Sequence, residues 1–432
     1  MGILRILALL TRPSARVRRV TAYRLRPVLA FVLACGLLFV AHGARAEEQR
    51  ARTEDDTEFT LVPVIGGDSD VGLGVGYVAS FAVVRPGVRP YVWRLESAGA
   101  LTARFNGADT RLGYFDQYVT FVVPHALGRP LRFEATVGYT IEPTLRYYGI
   151  GNASGVDPGR SPDDQYYQFE RRHSIASANA SYRVGKHFLL LWGLAESHNV
   201  LDYGAGSNLA HDLAAGDPAT RDLLHVAPEF DVMKFSYGVG WDSRDSEVSS
   251  HHGQYHTLRF DASPGGTSGI PYAWGRADLA LRGYVTLLPH RLIFAARGVL
   301  DWLVGTPPFY ELSRYDETEA VGGGRGLRGV PAGRYYGTVK AFTNLELRSE
   351  LFRFRLLQKQ NVFGVTAFAD TGRVWSKLPP SPELDGTGLG LKVGLGLGAR
   401  VTAGESFVLR ADVAWSPDAN PVGAYLLAGQ MF

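Results

Sequence analysis

Residues 131–141, L131-R-F-E-A-T-V-G-Y-T-I141, alternate between apolar side chains and polar or small ones. Leu131, Phe133 and Val137 fall on one side of this pattern, whereas Arg132 and Glu134 fall on the other. Successive side chains of a β-strand point to opposite faces, so a period of two predicts a strand with one apolar and one polar face. Such a strand fits a half-solvated soluble sheet, or a barrel wall with lipid outside and water inside.

The same alternation recurs through the chain, for example in residues 341–351 and 407–415. The polar faces of these segments carry charges of both signs, so they predict no preference for cations or anions. The expected interior charges are Arg132, Glu134, Arg297, Asp301, Glu346, Arg348, Arg410 and Asp412.

Applied to the whole chain, the pattern predicts an even number of strands, sixteen. They are expected near residues 58–66, 72–84, 91–105, 110–123, 130–141, 165–184, 187–200, 224–242, 253–262, 272–288, 291–303, 335–351, 361–370, 387–402, 406–415 and 422–432.

The connections between these strands alternate in length. Even-numbered strands mostly lead into short turns, such as 184–186 and 289–290, whereas many odd-numbered strands lead into long loops, such as 201–223 and 304–334. Short turns at one end and long loops at the other are typical of bacterial outer-membrane barrels. No apolar run after residue 46 is long enough for a membrane-spanning helix. The sequence therefore predicts an all-β fold, a 16-stranded antiparallel transmembrane β-barrel.

Aromatic residues near the expected strand ends fit the girdles that barrels place at membrane interfaces. The residues expected there include Tyr91, Trp93, Tyr147, Tyr148, Tyr166, Tyr167, Tyr335 and Tyr336.

The first 46 residues are typical of an export signal. Residues 1–27 are arginine-rich and contain no acid, an apolar run covers 28–40, and A44-R-A46 fits a cleavage site. A competing interpretation is a lipoprotein signal, because V32-L-A-C35 loosely resembles a lipid-attachment box. Cys35 is the single cysteine, so cleavage after residue 46 leaves a chain without thiols or disulfides.

Signal removal also reverses the sign of the net charge. The full chain has 45 basic and 42 acidic residues, and loss of the eight arginines in residues 1–46 leaves 37 against 42. The basic pI therefore gives no reason to expect nucleic-acid binding. Residues 47–57 are expected to form a short disordered periplasmic tail, and residues 58–432 a single barrel domain.

One long connection contains an unusual segment, V321-G-G-G-R-G-L-R-G-V330, with five glycines and two arginines. Neither a P-loop pattern nor a strand–helix context accompanies it, so phosphate binding is not expected. It is either a solvated surface loop or a loop that folds back into the barrel, where glycines allow close approach to the wall. A buried arginine there needs a carboxylate partner.

Several motifs resemble the BamA/TamA-type outer-membrane insertase superfamily, whose barrel is also called the bacterial surface antigen domain. They are G322-G-G-R-G-L-R-G329 between the eleventh and twelfth strands, F368-A-D-T-G-R-V-W375 on the thirteenth, G240-W-D-S-R-D245 with Gly253 after the eighth, and G429-Q-M-F432. The resemblance covers residues 58–432, and it lies in the order and strand placement of these motifs.

The resemblance implies that the sixth extracellular loop folds inward and that Asp370 accepts hydrogen bonds from Arg328. Phe368 and Asp370 share the polar face of their strand, and glycines of the fourteenth strand, Gly394 and Gly396 among them, leave room for the loop. The implied site residues are the loop tip Gly324, Gly326, Leu327, Arg328 and Gly329, the wall partners Phe368, Asp370 and Gly372, the periplasmic turn Asp242, Arg244, Asp245 and Gly253, and the C-terminal insertion signal Gly429 and Phe432.

The chain departs from the family pattern in three ways. Val330 stands where the family has an aromatic residue, and Ser250 stands where it has a proline. The short segment 47–57 before the first strand leads us to expect no client-handling POTRA domains, which the best-known members carry. The missing proline predicts a less rigid turn. The expected lack of these domains counts against a role in folding client proteins.

The expected function is outer-membrane assembly, or translocation of protein or lipid across that membrane. The alternative is a passive, porin-like channel. We expect no enzyme activity, because no serine and histidine stand together with an orienting partner. No cofactor is expected, and the turn with His251 and His252 is expected to be solvated rather than a metal site. Expected partners are lipopolysaccharide and phospholipid, the assembly machinery for the protein's own insertion, and a protein or lipid client.

Overall fold

The computed structural model describes residues 56–432, apart from residues 89, 107–108, 162, 267–268, 290, 316–320, 357–358, 404–406 and 419–421. The expected signal peptide and residues 47–55 of the expected tail lie outside the described residues. The first strand begins at Asp56, two residues earlier than the sequence predicted.

The described residues form sixteen strands. They are β1 (Asp56–Asp68), β2 (Gly72–Val84), β3 (Trp93–Asn106), β4 (Asp109–Val123), β5 (Leu131–Arg146), β6 (Gln168–Val184), β7 (Phe188–Tyr203), β8 (Glu229–Asp242), β9 (Gly253–Ser263), β10 (Trp274–Leu288), β11 (Leu292–Gly305), β12 (Val339–Leu356), β13 (Lys359–Trp375), β14 (Lys392–Ala403), β15 (Phe407–Trp415) and β16 (Gly423–Ala428).

Every strand pairs antiparallel with its neighbours in the chain, and β1 pairs with β16, so the sheet closes into a barrel. The predicted fold class and strand number are confirmed. Predicted boundaries are wrong mainly where loop residues share the strand composition. The strand β12 begins at Val339 rather than near 335, β14 begins at Lys392 rather than near 387, and β16 ends at Ala428 rather than at 432.

The two faces of the wall differ as the alternation predicted. On β12, Leu345 and Leu347 are each 40% exposed on the outer face, whereas Asn344, Glu346 and Arg348 are buried on the inner face. The outer surface is thus apolar and the interior, here called the lumen, is polar and charged. Among the described residues, no helix is long and apolar enough to cross a membrane.

The long loops gather at one end of the barrel and bury an apolar cluster there. The helix α1 (Asn208–Ala215) contributes Leu209, and the 3-10 helix Phe309–Ser313 contributes Phe309, Tyr310 and Leu312. These side chains pack on inward-facing residues at the strand ends, including Trp274. Two shorter helices, α2 (Pro218–Arg221) and α3 (Pro382–Asp385), lie in the same set of loops.

Burial of several tyrosines corrects part of the expected aromatic girdle. The side chains that are buried, rather than placed at a membrane interface, are those of Tyr91, Tyr147, Tyr148, Tyr167, Tyr335 and Tyr336. Five of them lie in or beside the long loops, whereas Tyr91 lies in the short turn between β2 and β3 and packs with Ala82 and Val122. Position along the chain does not distinguish such a buried tyrosine from one facing lipid. Aromatic side chains that are exposed near strand ends include Phe105, Trp241, Trp302 and Trp415.

Among the described residues, β1 and β16 have the shortest pairing of the wall. Only Gly67 with Leu426 and Asp68 with Tyr425 are paired across it, whereas β1 pairs with β2 along its whole length from Asp56 to Asp68. One further hydrogen bond follows, from the backbone N–H of Ser69 to the carbonyl of Ala424 at 2.9 Å. Residues 60–66 therefore have ladder partners on β2 and none on β16 within the described chain.

Candidate functional site

The glycine-rich segment 321–330 forms a compact hairpin-like tip. The N–H of Leu327 donates to the carbonyl of Val321 at 2.6 Å, and that of Gly323 donates to Val330 at 2.8 Å. Gly323 and Gly329 have φ angles of +89° and +91°. Side chains with a Cβ rarely adopt this region, so both positions require glycine.

Arg328 at this tip is fully buried and meets Asp370 on β13. Its Nε donates to Asp370 Oδ2 at 2.8 Å, and its Nη2 donates to Oδ1 at 2.9 Å. The backbone N–H of Arg328 also donates to Asp370 Oδ2, at 3.0 Å. The structure thus brings together the arginine and the carboxylate that the resemblance had paired, in a bidentate arrangement that fixes both distance and orientation.

Two further carboxylates reach the same guanidinium. Arg328 Nη1 donates to Glu346 Oε1 at 2.6 Å and lies 3.4 Å from Asp412 Oδ2. Its guanidinium also lies 3.4 Å from the ring centroid of Phe368. Three acidic residues on β12, β13 and β15 therefore converge on one loop cation, and an aromatic face packs against it.

Wall arginines balance these carboxylates. Arg348 Nε contacts Glu346 Oε2 at 2.7 Å, Arg400 Nη2 contacts Glu346 Oε1 at 2.8 Å, and Arg410 Nη1 contacts Asp412 Oδ2 at 2.9 Å. All of these side chains are buried. We call Arg328, Glu346, Arg348, Asp370, Arg400, Arg410 and Asp412 the lumenal charge network. Removal of one member of such a network leaves a buried charge without compensation.

Side chains of the wall, and Tyr315 of the loop itself, satisfy the backbone of the tip. The carbonyl of Gly324 accepts from Arg410 at 2.6 Å, that of Arg325 accepts from Tyr315 at 2.8 Å, and that of Gly326 accepts from Asn344 at 2.9 Å. The N–H of Gly329 donates to the hydroxyl of Tyr425 on β16 at 2.9 Å. Buried backbone groups require such partners, and here side chains supply them.

Sequence reasoning identified Glu346, Arg410 and Asp412 as lumenal but did not connect them to the loop, and it missed Asn344 and Tyr425 as loop partners. The usable signal was the shared inward face of polar residues on three neighbouring strands. That signal shows which side chains point into the lumen, but it does not show which group of the loop each of them contacts.

Glycines of the wall leave the space that the tip occupies. A Cβ on Gly394 would lie 1.9 Å from the carbonyl oxygen of Arg328, and one on Gly396 would lie 2.3 Å from the Phe368 ring. A Cβ on Gly372 would lie 2.6 Å from that of Phe342 and 3.1 Å from Leu327 Cδ1. The sequence analysis expected glycines of β14 to leave room for the loop. At Gly394 the loop backbone contacts this strand.

The turn between β8 and β9 forms a second, separate cluster. Arg244 Nε donates to Asp242 Oδ1 at 2.9 Å, and Arg244 Nη2 donates to Oδ2 at 3.1 Å. Asp245 Oδ1 accepts the backbone N–H groups of His251 at 2.9 Å and His252 at 3.2 Å. Gly253 has a φ of +102°, and a Cβ there would lie 2.3 Å from the carbonyl oxygen of Ser243.

The serine that replaces the family's proline also has a partner in this turn. Ser250 Oγ donates to the carbonyl of Ser246 at 2.6 Å and is buried. A hydrogen bond thus restrains the turn where a proline ring is missing. Among the described residues, no group of three or more His, Cys, Asp or Glu side chains is arranged to hold a metal ion.

We expect Asp245→Ala to reduce stability at neutral pH but not in acid. Partial burial acts to raise the pKa of Asp245, but the N–H groups of His251 and His252 outweigh burial and hold that pKa below its ordinary value. A lowered carboxyl pKa contributes stability above the unfolded value of about 4, and this contribution disappears as pH falls further. The stability difference between parent and variant is measured by thermal unfolding at several pH values between 7 and 3. The folded fraction is read from the faster mobility of the folded barrel on cold gels. A difference that persists unchanged at pH 3 would contradict the assignment.

The segment 429–432 does not continue the last strand, and this corrects the sequence interpretation. Gly429 has a φ of +87°, and its N–H donates to the carbonyl of Val408 at 2.7 Å. Beyond this turn Phe432 lies in the lumen, with its ring centroid 6.3 Å from that of Tyr284. The alternation of residues 422–432 suggested a strand, but the positive φ at Gly429 turns the chain inward.

Family comparison agrees with this geometry. Residues 104–425 match the family model described as the Omp85 superfamily domain. This chain belongs to the Omp85 superfamily. The Omp85 barrel is an outer-membrane protein of Gram-negative bacteria, so its short turns face the periplasm and its long loops face outward.

Solved structures show the same fold at low sequence identity. BamA from Haemophilus ducreyi lacking POTRA domains 1–3 is 15% identical with a TM-score of 0.54, and the match covers 88% of this chain and 70% of that one. CdiB from Escherichia coli is 13% identical with a TM-score of 0.52, over 87% and 68% of the two chains. No curated protein matches the sequence.

Proposed function

We propose that this Omp85 barrel assists the insertion of other β-strands into the outer membrane, through an opening between β1 and β16. The observation that carries the proposal is the edge of β1. Residues 60–66 pair with β2 but not with β16. On the outer face of this edge, Leu61 and Ile65 are 53% and 67% exposed.

An edge strand inside a membrane is costly, because lipid cannot hydrogen-bond to its backbone groups. The same groups form a ready template for another strand. A client strand that pairs with β1 gains main-chain hydrogen bonds at the point where it enters the bilayer. The two residue pairs that join β1 to β16 then have to separate. Fewer pairs are broken here than between any other two neighbouring strands of the described wall.

The loop tip and Ala332, two residues after it, contact the two sides of the seam. Gly329 donates to Tyr425 on β16, and the N–H of Ala332 donates to Asp70 Oδ2, beside the end of β1, at 3.1 Å. Asp70 in turn pairs with Arg146 at 2.7 Å. In this proposal the tip holds the closed state, and its charge network sets how readily the seam opens.

The alternative of a passive channel has one supporting feature, a polar lumenal cavity of about 460 Å³ lined by residues such as Arg132, Glu134 and Arg282. The apolar cluster of the long loops packs on inward-facing residues at the strand ends, and the tip contacts lumenal side chains of β12, β13, β15 and β16. Loop residues thus occupy part of the lumen, which counts against a wide, open channel.

Locking the seam tests the proposal. Ser69 and Ala424 extend the register of Gly67 with Leu426, so Ser69→Cys with Ala424→Cys places two thiols across it. Cys35→Ser removes the native cysteine. The matched control is Thr343→Cys with Thr371→Cys, a directly opposed pair within the wall.

Proteoliposomes of each variant are mixed with a urea-unfolded eight-stranded outer-membrane barrel, and its folding rate is read from cold-gel mobility. We expect the reduced seam variant to accelerate folding over empty liposomes by about tenfold, roughly 1.4 kcal/mol in activation free energy. Oxidation should remove this acceleration in the seam variant and leave the control unchanged. Equal acceleration by the oxidised and reduced seam variants would refute the proposal.

A further inference from the structure

The lipid-facing side of the wall carries an apolar groove across β10–β13. Leu281 on β10 opposes Gly298 on β11, and Gly298 opposes Thr343 on β12. Gly298 has no side chain, and a Cβ there would meet nothing within 4 Å, so the groove is deepest at this glycine. Its volume is about 350 Å³. We call it the wall groove, and it is lined chiefly by Leu281, Gly298, Leu300, Ala341, Leu389 and Leu391.

One side of the wall groove is formed by a loop rather than by the barrel. Leu389 and Leu391 precede β14, and their side chains are 72% and 48% exposed. Arg373 Nη1 donates to the carbonyl of Gly388 at 2.6 Å and also to that of Leu389. Asn152 Nδ2 donates to the carbonyl of the next glycine along the chain at 2.8 Å. These bonds hold the loop backbone in place, so this side of the groove is organised in advance of ligand binding.

The position of the groove determines what fills it. The outward face of the wall meets lipid, and Trp375, which also lines the groove, is the last residue of β13 at the long-loop end. The groove therefore opens toward the outer leaflet, whose lipid is lipopolysaccharide. Apart from Arg373, the described residues that line it are uncharged. Arg373 already donates to the loop carbonyls, so the surface offered to a ligand is suited to hydrocarbon.

A second depression on the lipid-facing side is built differently. It has a volume of about 460 Å³, and the described residues that line it, Ala135 and Ala178 among them, all belong to β3–β8. A lipid chain there contacts strands only, as it does elsewhere on the wall. The wall groove differs because a fixed loop gives it a second side, which increases the contact with a chain lying in it.

We propose that the wall groove is a specific site for one acyl chain of lipopolysaccharide. Leu281 and Leu300 flank the space above Gly298, and Leu389 and Leu391 close it on the side of β14. A chain in this space contacts leucine side chains on two sides, whereas a chain on the open wall contacts protein on one side. The barrel therefore retains this lipid while the surrounding lipids exchange. The site lies on β10–β13, away from the pairing of β1 with β16, and it goes beyond the proposed function.

Photo-cross-linking in intact Gram-negative cells tests this proposal. The photoreactive residue p-benzoylphenylalanine takes the place of Leu389, and in a separate chain it takes the place of Trp415. Trp415 is 53% exposed at the same end of the barrel but does not line the groove. After illumination, an antibody against lipopolysaccharide detects adducts of the purified protein. We expect a strong lipopolysaccharide adduct at position 389 and a weaker one at position 415.

Filling the groove separates a site from general contact with lipid. Gly298→Leu places a side chain in the open space without a clash. The adduct at position 389 should fall about tenfold, because each methylene that loses its burial lowers the affinity and two of them account for a factor of this size. The matched control is Ala178→Leu, which adds a lipid-facing leucine in the second depression and should leave the adduct unchanged.

A further variant acts without adding bulk to the wall. Leu391→Ser removes an apolar side chain from the loop side of the groove and should also reduce the adduct. Cold-gel mobility verifies that each variant is a closed barrel. An adduct with phospholipid or with another protein in place of lipopolysaccharide would overturn the proposal, as would equal adducts in the parent and Gly298→Leu. The seam-locking experiment does not depend on the wall groove, so the two proposals can fail separately.

Discussion

Replacing Asp370 by alanine lowers the free energy of unfolding by about 3–5 kcal/mol, the cost of leaving a buried ion without its partner. Arg328 then keeps Glu346 but loses the bidentate pair and the carboxylate that also accepts its backbone N–H. Urea titration of the barrel in lipid vesicles, followed by tryptophan fluorescence, measures the change. Arg328→Ala should give a loss of similar size.

The double variant separates pairing from general disruption. If Arg328 and Asp370 act as one unit, the double variant is destabilised by much less than the sum of the two single variants. The control is Glu134→Ala, which removes a partly exposed ion pair with Arg132 at 3.1 Å. That change should cost no more than about 1 kcal/mol. Strictly additive losses for Arg328 and Asp370 would show that the pair is not coupled.

Gly394→Ala should expel the loop tip from the lumen. The new Cβ would lie 1.9 Å from the carbonyl oxygen of Arg328, which is backbone and cannot move aside as a flexible side chain does. Overpacking of this kind costs about 1–3 kcal/mol and sometimes more. Brief trypsin digestion of the folded protein should cleave the variant after Arg325 or Arg328 at least about tenfold faster than the parent, because each 1.4 kcal/mol changes the accessible population tenfold.

The matched control is Gly298→Ala, a strand glycine at which a Cβ meets nothing within 4 Å. It tests the general effect of alanine in a strand without touching the tip. Gly298→Ala should resist trypsin as the parent does. If Gly394→Ala is equally resistant, the tip is not held against β14 in the way described.

The sequence by itself determined the wall. Period-two alternation indicated which segments form strands and which of their side chains face inward, because this property is local to each strand. It placed Glu346, Arg410 and Asp412 in the lumen for that reason. The motif resemblance added the meeting of Arg328 with Asp370, which alternation alone does not give.

The tertiary structure decided which lumenal groups meet each other and where the connecting segments go. Glu346, Asp370 and Asp412 lie on three strands, and they converge on one guanidinium only after the barrel closes around the loop. Tyr147 and Tyr336 become buried only because the long loops pack together over the lumen. Segment 429–432 leaves the sheet at Gly429, where φ is positive, and Phe432 then lies in the lumen beside Tyr284. Contacts between residues far apart in sequence depend on closure of the whole sheet, and no local pattern encodes them.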